Sequence, residues 1–179
     1  MRYVIIILLI LICTMLTCGV LVQFPVLEAQ ADLLLIALVM MTAFEKRLSP
    51  VLFVAAGGLI IDSLFARGLG FYTVPYLVSG ILLYAFFAGR NYNNALITAA
   101  ASGVIWFIKE IISIILCILM GYRIGILNRI LTVSLPGIAV EAVLGLISYL
   151  PYKWLYSFAF MQPQDDSEFA GLKRRWRRR

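Results

Sequence analysis

The chain has 179 residues, 63% of them hydrophobic, a mean hydropathy of +1.00 and a formal net charge of +6. A soluble domain is apolar in roughly half its residues, so this composition excludes an ordinary soluble globular protein and points to a one-domain helical membrane protein. The lack of histidine excludes imidazole catalysis and His-ligated metals, and the three cysteines, Cys13, Cys18 and Cys117, all lie in apolar runs without the spacing of a disulfide framework or a zinc site.

Residues 3–24 form the first predicted span. The run is too long for the apolar region of a signal peptide, and Cys18-Gly19-Val20 is embedded in apolar sequence, so it reads as an uncleaved helix. A short loop with Pro25, Glu28 and Asp32 leads into a second span, 31–44. That span is short for a hydrocarbon core of ~30 Å, which takes about 20 residues. Bilayer thinning, flanking residues or a re-entrant path would have to make up the difference.

The third span, 48–66, places Ala55, Gly58, Asp62 and Ala66 in one row at helical spacing. Small residues admit a neighbouring helix and an acid in hydrocarbon must face protein or water, so this row is expected to be an interior seam. Gly68 and Gly70 permit a tight reversal, and Pro75 falls in the first turns of the fourth span, 71–89. A polar stretch at 90–94 precedes the fifth span, 95–120, which carries Lys109 and Glu110 near its middle. In the segment 121–134, Arg123, Asn128 and Arg129 alternate with Ile and Leu as in an interfacial segment. Pro136 opens the sixth span, 136–154, with Glu141 inside it. The tail ends in Lys173-Arg174-Arg175-Trp176-Arg177-Arg178-Arg179.

The expected fold is an all-α polytopic membrane protein, a compact bundle of six transmembrane helices with short loops over 1–160, followed by a basic tail, 161–179. With the N-terminus in the cytoplasm, that side receives Arg2, Lys46, Arg47, Arg90, Lys153 and the tail, and the other side receives Arg67, Arg123 and Arg129. The positive-inside rule then places both termini in the cytoplasm. Beside a bilayer the tail is expected to bind anionic lipid rather than nucleic acid.

Counting 1.5 Å per residue puts Asp62, Lys109 and Glu141 all ~21 Å from the inner side. A charge at such depth costs about 2.5–3.5 kcal/mol and calls for a partner. Asp62 and Glu141 are the candidate partners of Lys109, whose neighbour Glu110 points ~100° away on the helix. The acids outnumber the lysine, so at least one carboxyl is expected to be protonated or paired with an Arg from the outer side. A structural polar network is favoured over a proton relay because the inner half offers few polar steps. No nucleophile constellation, metal motif or phosphate loop is present, so neither enzymatic activity nor a cofactor is expected. Candidate surfaces for a partner helix are the Ser79-Gly80 face of span four and the stretch rich in small residues that ends at Gly103 in span five.

Three features together resemble a known family. They are the acid opening a short second span (Asp32-Leu33-Leu34-Leu35), a third span ending Gly58-Leu59-Ile60-Ile61-Asp62-Ser63-Leu64-Phe65, and the turn Gly68-Leu69-Gly70. This pattern is similar to that of the bacterial rod shape-determining protein MreD, and the length, scarcity of loops and basic C-terminus agree. The resemblance implies a non-enzymatic inner-membrane subunit of the cell-wall elongation machinery. Its partner would be the single-span protein MreC, and through it MreB, RodA and the transpeptidase that works with RodA. It also implies that Asp32, Gly58, Asp62, Gly68 and Gly70 are motif positions. In size and span count the chain is also similar to the substrate-binding subunits of energy-coupling-factor vitamin transporters. Such a subunit needs an outward pocket, and the short outer loops favour the scaffold.

Overall fold

The computed structural model describes residues 2–19, 31–45, 48–65, 70–87, 94–122 and 125–158. These residues form six helices and no strand. We number them α1 (Arg2–Gly19), α2 (Leu33–Glu45), α3 (Ser49–Phe65), α4 (Thr73–Phe87), α5 (Ala95–Leu119) and α6 (Ile126–Ser157). Two of them, α5 and α6, are long and apolar enough to cross a membrane. The basic tail and Gly68 lie outside the described residues.

The centre of the molecule is α2. Every residue from Leu34 to Ala43 is at most 1% exposed. The helix touches α1, α3, α4, α5 and α6. A helix that is apolar on all sides must be covered on all sides, and here the cover is protein. This helix, 13 residues long, is therefore surrounded by its neighbours along nearly its whole length. The outer helices turn apolar side chains outward, among them Val4 and Leu8 on α1, Leu96 and Val104 on α5, and Val143 and Ile147 on α6.

The segment 121–134, expected to be interfacial, is helical over most of its described residues. Gly121, at φ +82°, ends α5 in a left-handed turn, and from Ile126 onward the chain is helical without a break to Ser157, over 32 residues. Within it, Arg129 pairs with Glu110 of α5. A wide π turn at Ile130–Ser134 lies directly before Pro136, whose missing N–H interrupts the regular ladder.

Small residues set how closely the helices approach. A Cβ on Gly80 would meet Val51 Cγ1 of α3 at 2.7 Å, and one on Gly58 would meet the Cα of Thr73 at 3.0 Å. Along the α5–α6 seam, Gly103 lies against Ile138 and Ala142, Gly145 against Ser102, and Gly137 against Trp106. Ser102 Oγ also donates to the Glu141 carbonyl across this seam, at 3.0 Å. These contacts correct the expectation for Ser79, Gly80 and Gly103. Ser79 is fully buried and both glycines are used inside the bundle, so these faces are not open to a partner. Close backbone approach is needed first for the chain's own helices, since apolar side chains gain little by leaving lipid for another helix.

It follows that Gly80→Leu and Gly103→Leu should each destabilise the fold by about 1–3 kcal/mol through overpacking. Gly125→Ala should be silent, because its Cβ would meet only Asn128 Cβ, at 3.8 Å. Thermal unfolding of the purified variants in nanodiscs checks this, and wild-type stability for Gly80→Leu would contradict it.

Candidate functional site

The polar centre of the molecule is built on Asp32, at the start of α2. A helix leaves its first amides without intrahelical partners, and an acid just before the first turn can supply one. Asp32 Oδ1 accepts from the Leu35 amide at 3.1 Å. Its other oxygen, Oδ2, accepts from the Tyr76 hydroxyl of α4 at 2.6 Å and from Lys109 Nζ of α5 at 2.6 Å. The Asp32 amide in turn donates to Glu141 Oε2 of α6 at 3.3 Å. One short side chain and its backbone thus hold four helices together at one end of the bundle.

Lys109 is doubly accommodated. Besides its ion pair with Asp32, the ammonium lies 4.3 Å from the centre of the Trp106 ring and 5.6 Å from that of Tyr76. Such rings attract a cation and help to hold it out of bulk water. Next along the helix, Glu110 faces another direction and accepts from Arg129 Nε of α6 at 2.7 Å, with Arg129 Nη2 also at 2.7 Å from the same oxygen. Glu141 is wholly buried, and its Oε1 has no hydrogen-bond partner among the described residues.

Asp62 stands apart from these groups, which corrects the expected network of Asp62, Lys109, Glu110 and Glu141. Its carboxylate closes the turn between α3 and α4. Oδ2 accepts from the Gly70 amide at 2.9 Å, the Thr73 amide at 3.1 Å and Thr73 Oγ1 at 2.6 Å, while Oδ1 accepts from the Tyr72 amide at 2.7 Å. Local amides win over a distant ammonium because the reversal leaves them unpaired at the start of α4, beside Asp62. Gly70, at φ +102°, supplies the left-handed residue this reversal needs, and Gly58 leaves room for the backbone of Thr73.

The opposite end of the bundle is also tied by an acid. Glu45, at the end of α2, accepts from the Tyr156 hydroxyl at 2.7 Å and from Ser49 Oγ at 3.3 Å. Phe44 stacks on both Tyr149 and Tyr156, with ring centres 5.8 and 5.1 Å apart. The buried helix α2 is therefore anchored by a carboxylate at each terminus.

A cavity of about 420 Å³ opens at the Asp32 end. Asp32, Tyr76, Trp106, Lys109, Glu110 and Arg129 form its polar and aromatic wall, and Phe71 and Ile61 add to the apolar part. Reading the sequence did not single out Tyr76, Arg129 or this cavity as functional. The available signals were an acid preceding an apolar helix, which marks a helix start, and an arginine among apolar residues four positions after Gly125. Comparison with protein-family models, with curated proteins and with solved structures finds no match.

Proposed function

We propose that this chain is a non-enzymatic membrane scaffold of the rod-shape, cell-wall elongation machinery, of the MreD type. In this reading all six helices cross the inner membrane, both termini lie in the cytoplasm, and the Asp32 end of the bundle faces outward. The partner is MreC, which links the scaffold to MreB, RodA and its transpeptidase, while the basic tail contacts anionic lipid.

One observation carries the reading. Four of the residues on which the resemblance rests act together in this structure as a device for holding α2, α3 and α4 in place, Gly68 lying outside the described residues. Asp32 caps the buried helix and ties it to α4, Asp62 takes the amides of the turn, Gly70 makes that turn, and Gly58 admits the following backbone. A chain with so little mass outside its helices acts through its outward helix surfaces and short loops. Since the small-residue faces are used internally, the contact with MreC falls on the outward faces of the helices.

Depletion in a rod-shaped host tests the proposal. Cells should become round, and MreC should co-purify with the protein from native membranes. If depleted cells keep their shape but lose uptake of a vitamin, the chain is instead a substrate-binding subunit of an energy-coupling-factor transporter.

A further inference from the structure

We infer that the cavity at the Asp32 end of the bundle binds a small amphipathic carboxylate. Its volume of about 420 Å³ falls among those of small-molecule sites, roughly 300–1,000 Å³. The wall has more hydrogen-bond donors than its own acceptors consume. An ammonium carries three donors, and among the described residues Lys109 spends one, on Asp32. Arg129 directs its Nε and Nη2 at a single oxygen, Glu110 Oε1. Among the described residues nothing bonds the outer edge of its guanidinium, between Nη1 and Nη2, and its side chain is 36% exposed at the rim. That planar edge matches the two oxygens of a carboxylate.

Charge narrows the class. Asp32 balances Lys109 and Glu110 balances Arg129, so the wall is neutral overall. A monoanion meets spare donors there, whereas a dianion such as a phosphate monoester would bring a second negative charge beside two carboxylates. A cation would compete with Lys109 for Asp32, which already accepts from three donors. The aromatic and apolar lining from Trp106, Tyr76, Phe71 and Ile61 accommodates an uncharged body behind the acid group. The site stands on the cavity alone and does not depend on the scaffold role.

Titration calorimetry on the full chain in nanodiscs, with empty nanodiscs as the blank, tests this. The probes are indole-3-propionate, a water-borne aromatic acid; decanoate, an aliphatic acid that also partitions from the bilayer; and tryptamine, the cationic counterpart of the first. At least one acid should bind saturably and tryptamine should not; which acid binds tells the aqueous source from the membrane source. Arg129→Gln should weaken that binding at least tenfold, with Arg129→Lys in between, because lysine keeps the charge and loses the fork. Ser113→Phe fills the cavity from α5 without removing a charge and should abolish binding at unchanged thermal stability, which covers the case of a poorly folded Arg129 variant. Absence of saturable binding by either acid, equal binding of tryptamine, or indifference to Ser113→Phe would overturn the assignment.

Discussion

Asp32→Ala is expected to lower stability by about 3–5 kcal/mol, the cost of removing one partner from a buried ion pair. The side chains of Asp32 and Lys109 are only 4% and 12% exposed, so water in the cavity beside them replaces only part of the lost interaction. The substitution also leaves the Tyr76 hydroxyl without its acceptor and α2 without its cap. Lys109→Met should cost less, because Asp32 keeps Tyr76 and the Leu35 amide. The double variant should be more stable than the sum of the single losses by about 0.5–3 kcal/mol, the range of coupling for residues in contact. Thermal unfolding of the four proteins in nanodiscs gives the cycle. Strict additivity would show that the two side chains do not depend on each other.

Asp62→Ala should be the next most damaging change, by about 3 kcal/mol. It removes the acceptor of three backbone amides and one hydroxyl at a part-buried turn. Each buried donor left unpaired costs about 1–3 kcal/mol, and nearby water recovers part of that here. Asp62→Asn should lose less, since the amide oxygen can still accept. Because Asp62 shares no partner with Lys109, adding Lys109→Met should change the effect by no more than about 0.5 kcal/mol. The same unfolding measurement decides it, and limited proteolysis should show faster cleavage at the α3–α4 turn in the alanine variant. Rescue by Lys109→Met would place Asp62 back in the ion-pair network.

Both substitutions bear on what could be read from the residues. The helices were legible because hydropathy is a local property: long apolar runs, broken by Gly, Pro and charge, become helices, and the predicted bounds of the fifth span, 95–120, differ by one residue from α5 at Ala95–Leu119. The seam on α3 was legible for a related reason, as helical spacing puts Ala55, Gly58, Asp62 and Ala66 in one row; the first three are buried, and Ala66 lies outside the described residues. In the segment 121–134 the partner of Arg129 could not be read locally: it is Glu110, 19 residues away on another helix.

The pairing of the charges was legible only in part: an outer-side Arg was expected to take up a carboxyl, as Arg129 does for Glu110, but the partner of Lys109 was not. Depth along a helix ranks Asp62, Glu110 and Glu141 about equally as partners for Lys109 and says nothing of rotation about the helix axis. The partner in the structure, Asp32, is 77 residues away and reads in the sequence as a residue of a loop. By itself the sequence determined the helical class, the positions of the turns, the lack of histidine chemistry and the presence of acids that an apolar surrounding cannot leave unpaired. The tertiary structure alone decided which acid meets which base, that the shortest helix is the central one, and that small-residue faces are internal seams, because each depends on the packing of elements distant in the chain, where one rotation of a helix by a residue exchanges one partner for another.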